Sequence, residues 1–310
     1  MQMSRITTFY VIVFALALLA PFLGVYPIFM MTLLCYALFA CAFNLMLGYS
    51  GMLSFGHAAY FGSSAYITCW LITANGWSSI GALLAGTLVS TVLGLVIGLI
   101  AIRRAGIYFA MITLALSQLV YFVCLQAPFT GGENGIQGVP RGDLLGIISL
   151  ANDTVMYYFV LFIFVCVYLF IVRVVHSPFG QVLKAIRENE PRASSIGYYA
   201  EQYKLLVFVL SSTLAGLAGS LKALVLGFAT LSDVLQSTSG EVILMTMLGG
   251  AGTFFGPVLG SAIVIALQNL LSDKVGSWVT VIIGAIFVVC VMAFRKGIVG
   301  EWLAYQNKKS

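Results

Sequence analysis

The sequence predicts an all-α polytopic membrane protein, a single domain over residues 1–310 with roughly eight to ten transmembrane helices, internal inverted repeats and one broken or re-entrant segment. Three observations carry this. Hydrophobic residues make up 61% of the chain and charged ones 8%, whereas a soluble domain has about half and about a quarter. Mean hydropathy is +1.05. Apolar runs of about 20 residues, the length that crosses a bilayer core, follow one another with glycines scattered among them.

Taken in order, such runs lie at Ile6–Leu23, Tyr26–Gly48, Ser54–Ala74, Ser79–Ile102, Ala105–Ala127, Val155–Val175, Lys204–Leu231 and Val275–Phe294. The opening MQMSR with its apolar continuation has the form of a signal sequence, yet Pro21 follows the best small-residue site and further spans come at once, so a retained first span is expected. Glu241–Leu271 is long for one span and short for two. Charge sign sets the topology: with the N-terminus inside, Arg5, Arg103, Arg104, Arg173, Lys184, Arg187, Arg192, Lys204, Arg295, Lys296, Lys308 and Lys309 are cytoplasmic, while Glu133, Asp143, Asp153, Asp233 and Asp273 face outward. Both termini are then cytoplasmic. That holds only if Glu241–Leu271 returns to the side it left, as a hairpin or two short spans broken at Gly249–Pro257. Irregular backbone at that depth needs protein or water around it, so the break implies a cavity or pathway.

Leu47–His57 and Leu248–Pro257 share L-G-x-x-G and a later F-G, as paired interruptions in a repeated transporter would. Small residues recur every fourth position at Ala82, Gly86, Ser90, Gly94 and Gly98, and at Ser211, Ala215, Gly219, Ala223 and Gly227. Such stripes let helix backbones approach closely, here inside the bundle.

Several chemistries are missing. No G-x-x-x-x-G-K-[ST] occurs, so any ATP must be bound by another chain. The six cysteines lie in apolar segments without C-x-x-C or a nearby histidine at ligand spacing, and read as small hydrophobes. No catalytic set, metal or cofactor is expected, and the charge of +5 follows from basic cytoplasmic ends, so nucleic acid is not an expected partner. An ion-coupled carrier would hold ionisable groups within its spans. His57 and Glu241 are the candidates. His57 either lines the substrate route or bonds a carbonyl freed at the glycine break. Glu241, after Ser239-Gly240, reads as a helix N-terminal cap, and Lys222 as a side chain snorkelling to the outer surface.

The polar run Ser177–Leu205 stands apart. Phe179, Val182, Leu183, Ile186 and Ala193 fall on one helical face, with Gln181, Lys184, Arg187, Glu188 and Arg192 elsewhere. Pro191 divides it into two short helices joined at Glu190–Pro191, and Gly197 ends the second in a left-handed cap. By composition this is either a solvated cytoplasmic loop or a docking element.

The run Ala185–Glu190 with Ala193, Gly197, Tyr203–Leu206, Ser211 and Ala215–Gly219 resembles the coupling segment of the LivM-type subunit of branched-chain amino acid permeases in ATP-binding-cassette (ABC) importers. Asn44–Tyr49, Ser54–Ala59, Ala110–Ala115, Thr130–Gly138 and Leu248–Gly252 resemble the same pattern in order. Pro191 stands where that family has a small or polar residue. The resemblance implies a coupling loop at Ser177–Tyr203 that docks an ATPase through Leu183, Ile186, Arg187, Glu190, Ala193 and Gly197. It implies a pathway at Asn44, Gly56, His57, Gly250, Gly252 and Gly256. It also implies a second, LivH-like permease, two ABC ATPase subunits and an external or periplasmic binding protein around a chain embedded in the lipid of a prokaryotic cytoplasmic membrane. The implied cargo is leucine, isoleucine, valine or a related hydrophobic amino acid. Urea or short amides are the alternative within the class, and an ion-coupled carrier the alternative outside it.

Overall fold

The computed structural model describes residues 18, 21, 26–144, 148–276, 279–293 and 297–301. The expected first span, apart from Leu18 and Pro21, lies outside them, as do Arg5, Arg295, Lys296, Lys308 and Lys309.

Helix α1, Pro27–Ser50, starts on a proline whose missing N–H would have been unpaired there anyway, and closes on left-handed Gly51. After the break at 51–56, α2 spans His57–Asn75 and stops at left-handed Gly76. The Ser78 hydroxyl accepts the Gly81 N–H to cap α3, Ser79–Ala101. Helix α4, Ile107–Gln126, leads to a connecting segment with short strands, and Asn152 caps α5, Asp153–His176. The short α6, Pro178–Glu188, and α7, Glu190–Ser195, precede the 27-residue α8, Ala200–Leu226. Then come α9, Gln236–Gly249, α10, Gly256–Val275, and α11, Val279–Ala293. Among the described residues, α1, α3, α4, α5 and α8 are long and apolar enough to cross a membrane.

Helix α8 is the axis of the bundle, packed against α1, α2 and α3. The small-residue stripes make this possible. A Cβ on Gly86 would lie 2.4 Å from Thr68 Oγ1, one on Gly94 1.8 Å from Ser212 Oγ, and one on Gly219 1.9 Å from the Phe61 carbonyl. Hydroxyls in the same seams bond across them: Ser64 donates to Gly216 O at 2.6 Å, Thr68 to Ser220 at 2.9 Å and Ser90 to Ser212 O at 2.8 Å. The stripes are internal packing, as the sequence predicts.

Between α4 and α5, β1 (Ile136–Gln137) is followed by the hairpin of β2 (Asp143–Leu144) and β3 (Ile148–Ser149), and β1 pairs antiparallel with β4 (Phe228–Ala229). Arg141 fastens this segment, bonding Asp153 at the start of α5 and donating to Val225 O at 3.0 Å.

The awkward Glu241–Leu271 segment is resolved as α9 and α10 around a break at 250–255. Fourteen residues rise about 21 Å, short of an about 30 Å core. The two helices fold back on each other, since a Cβ on Gly260 would meet Met245 O at 1.8 Å and one on Gly249 would meet Gly256 O at 1.8 Å. One expectation changes here. Thr246 reaches Ala40 O at 3.4 Å and Gly252 reaches Asn44 at 2.8 Å, so α9 runs in the same sense as α1. The two glycine breaks therefore relate helices of like direction, and this pair is not the one that would relate inverted halves.

Adding only a methyl separates packing glycines from open ones. Gly219→Ala forces backbone apart and should cost about 1–3 kcal/mol. Gly240→Ala, with nothing within 4 Å, should be neutral or slightly stabilising through helix propensity. Thermal unfolding of the two detergent-purified variants checks this, and equal midpoints would contradict the packing role.

Candidate functional site

The two breaks meet at one side of the bundle. Asn44, near the C-terminal end of α1, donates through Nδ2 to Thr253 O at 2.9 Å and accepts the Gly252 N–H through Oδ1 at 2.8 Å. One carboxamide thus satisfies a donor and an acceptor that the 250–255 break removes from helical pairing. Gly252 has φ 81° and Gly250 φ 118°, conformations that L side chains rarely adopt. Gly48 allows the approach, because a Cβ there would lie 2.5 Å from Gly252 N. Thr253 Oγ1 donates to Gly250 O at 2.7 Å and accepts the Gly256 N–H at 3.1 Å, closing the turn into α10.

Gly56 and His57 sit at the other break. A Cβ on Gly56 would meet the Thr113 carbonyl of α4 at 2.5 Å. His57 is fully buried, and Nε2 lies 2.8 Å from Ser211 Oγ, whose own proton goes to Ala42 O at 2.6 Å. Nε2 is therefore the donor, and the ring reaches a helix carbonyl through Ser211. Phe43, Tyr60 and Phe208 enclose it edge to face. The Ser239 hydroxyl of α9 accepts the Ala58 N–H at 2.8 Å, one of the free amides of the first turn of α2. Asn44, Gly250, Gly252 and Gly256 form one cluster, with Gly56 and His57 a second beside α4 and α8.

The polar run folds as two helices. Asn189, extended at φ −157°, ends α6, and its side chain accepts the Arg192 N–H at 3.0 Å to cap α7. The junction is thus Asn189 rather than Glu190–Pro191: proline fits the first turn of a helix, and the asparagine before it is the better cap. Gly197, at φ 103°, closes α7 with Tyr198 N–H donating to Ala193 O at 3.2 Å and Gly197 N–H to Ser194 O at 3.0 Å, the closure the sequence predicts. Val182, Ile186, Ala193 and Ala200 pack together, and Leu183 joins the main core. Of the six candidate coupling residues, Leu183, Ile186 and Ala193 are buried within the chain. Glu190 pairs with Lys204 at 2.5 Å, and Arg187 and Gly197 are exposed. The outward face carries two residues that sequence reasoning missed, Ile196 at 71% and Tyr199 at 73% exposure. Their signal was apolar residues flanking the glycine cap.

Arg187 ties this element to the breaks. Its guanidinium donates to Gly48 O, and the side chain lies against Gly51 and Gly252. Lys184 Nζ is 5.9 Å from the centre of the Tyr49 ring, and His176, at the end of α5, stacks on Phe254 at 5.1 Å.

Two readings are corrected. Glu241 lies in the second turn of α9, bonded to Gln268, because the helix begins at Gln236, ahead of Ser239-Gly240. Lys222 is 4% exposed and does not snorkel. Nζ contacts both Asp233 oxygens, at 2.8 and 2.7 Å, with the Phe228 ring 4.6 Å away. Gly227 ends α8 and reverses the chain, so Asp233 turns inward onto the lysine.

Fold and site together define an integral membrane transport subunit: a helical bundle whose broken segments meet an amphipathic helix pair at one membrane face. The chain belongs to the family of branched-chain amino acid transport system permease components, whose model matches residues 26–291. It is 27% identical over 261 residues to the high-affinity branched-chain amino acid transport system permease protein LivM of Salmonella typhimurium, covering 77% of this chain and 61% of that protein. The LivM protein of Escherichia coli is 27% identical, over 86% of this chain and 68% of its own length. A probable LivM protein of Methanocaldococcus jannaschii is 27% identical, over 76% and 78%. No solved structure matches the chain.

Two consequences are measurable. Asn44→Leu keeps the branched shape but leaves Gly252 N–H and Thr253 O unpaired, at about 1–3 kcal/mol each. Hydrogen exchange at 249–256 should rise well above that of α1, and unchanged protection would contradict the clamp. Lys222→Met strands a buried carboxylate and should cost about 3–5 kcal/mol, whereas Lys222→Met with Asp233→Leu should recover most of the loss in thermal unfolding. A double variant no better than the single would show that the ion pair itself is indispensable.

Proposed function

We propose that this chain is a permease subunit of an ABC importer carrying leucine, isoleucine, valine or a related hydrophobic amino acid across a prokaryotic cytoplasmic membrane, with both termini inside. It works with a second, LivH-like permease, two ATPase subunits and an external binding protein. Support comes from family membership and from three relatives named as branched-chain amino acid permeases. The chain contains no P-loop motif, so ATP hydrolysis falls to the partners.

One observation carries the mechanism, the bond from Arg187 of α6 to the Gly48 carbonyl beside the Asn44 clamp. In this reading the ATPase grips the exposed side of α6 and α7, through Ile196, Tyr199 and the polar face, while Val182, Ile186 and Ala193 keep the two helices rigid. ATP-driven closure then moves α6, and Arg187 passes the displacement to the junction of the breaks. The pathway runs past Asn44, Gly56, His57, Gly250, Gly252 and Gly256, and rearrangement there exchanges outward for inward access.

The test separates gripping from transmission. Ile196→Asp and Tyr199→Asp should each lower co-purification of the ATPase subunits at least tenfold, about 1.4 kcal/mol, and reduce uptake of labelled leucine accordingly. Arg187→Gln should leave co-purification intact while uptake falls. Full uptake by all three variants would refute the coupling reading, and uptake of a different cargo class by the wild type would refute the substrate assignment alone.

A further inference from the structure

Between the 51–56 break, the turn at 102–106 and α6–α7 lies a cavity of about 560 Å³, a size typical of ligand sites. Leu53, Phe55, Phe109 and Met111 give it apolar walls. Its charged lining is three cations, Arg104, Arg187 and Lys204, and one carboxylate, Glu190. Glu190 is held by Lys204 at 2.5 Å, and Arg187 by the Gly48 carbonyl. Arg104 is exposed, and while its backbone N–H donates to Ala101 O at 3.1 Å, its guanidinium has no hydrogen bond or ion pair among the described residues. Beside it Gly106 precedes the first turn of α4, which has no side-chain cap and no acid, so the positive end of that helix is also unanswered. The rim runs into open apolar surface, with Ile107 77% and Met111 60% exposed.

We propose that this cavity binds an anionic phospholipid, its phosphate on Arg104 and the first amides of α4, and an acyl chain along Met111, Leu53 and Phe55. The charge pattern argues for an anion, because the cations outnumber the only carboxylate. It argues against a zwitterionic amino acid, whose ammonium would find that carboxylate already paired. The apolar walls and rim require a ligand with a hydrocarbon body rather than a free phosphate. The location agrees, since basic pockets between membrane helices at the positive face meet acidic headgroups. Because Arg187 lines the cavity and holds Gly48, the lipid would brace the contact between α6 and the breaks. The inference depends neither on the cargo nor on the ATPase.

The experiment is native mass spectrometry of the complete complex, purified from membranes and offered equal phosphatidylglycerol and phosphatidylethanolamine. The wild type should retain phosphatidylglycerol preferentially. Arg104→Gln should lower that retention about five-fold, the effect of one cation near an anionic surface. Met111→Trp, which fills the exposed rim and leaves the charges in place, should lower it as well, with both thermal midpoints unchanged. Equal retention of the two lipids, or retention unaffected by both variants, would overturn the proposal. So would displacement of phosphatidylglycerol by leucine, which would give the cavity to the cargo, or cross-linking of Met111→Cys to another subunit, which would make it an interface.

Discussion

A backbone amide or carbonyl at membrane depth must find a partner inside the protein, because the lipid offers none. Every unusual feature of this bundle answers that constraint. Breaking a helix at 250–255 removes its i to i−4 pairing, and Asn44 restores one donor and one acceptor with a single side chain. Ser239 does the same for the buried start of α2 by accepting the Ala58 N–H. Both repairs come from a different helix. Each break is therefore pinned to a neighbour, which makes the breaks joints between elements rather than loose loops.

The same requirement explains the hydroxyls along α8. Hydrocarbon provides no hydrophobic drive for helices to associate, so close backbone approach and hydrogen bonds across the seam must hold them. Gly86, Gly94, Gly216 and Gly219 provide the approach, and Ser64, Thr68 and Ser90 the bonds. The buried Lys222 follows a related logic at higher cost. A lone ammonium there would be untenable, and Asp233 neutralises it while its Oδ2 also accepts the Thr230 N–H, so one carboxylate shapes the turn from α8 towards α9.

Much of this was legible in the sequence because it depends on local pattern. The positions of α1, α3, α4, α5 and α8 follow from apolar run length, the stripes from a period of four, and the α7 closure from one glycine. The broken segment was legible because Glu241–Leu271 fitted neither one span nor two. What escaped depends on contacts between distant residues. Nothing near Lys222 in sequence reveals that the chain turns back at Gly227 to deliver Asp233. Nothing local to α6 says that Val182 and Ile186 will be covered by Ala193 and Ala200 of the same chain, which leaves the outward surface to Ile196 and Tyr199. The amphipathic pattern identified a covered face without identifying the cover. Asn44 was singled out by resemblance, and its role as a clamp required the 208-residue separation to be closed.

The attachment of α6 to the core follows from the helix break itself. The last carbonyls of any helix lack an intrahelical donor, and in α1 the chain turns at Gly51, whose N–H goes back to Leu47 O at 3.2 Å. The next carbonyl, Gly48 O, has lost its helical partner, and Arg187 takes it. A cation is favoured at that position, since the carbonyl end of a helix carries the negative pole. The guanidinium also needs room, which Gly51 and Gly252 give by lacking side chains where Arg187 lies. Glycine thus acts twice: it ends the helix and so frees the acceptor, and it leaves the seat that the arginine occupies. A substitution that straightened α1 through Gly51 would remove acceptor and seat together, so the break and its link to α6 form one mechanical unit.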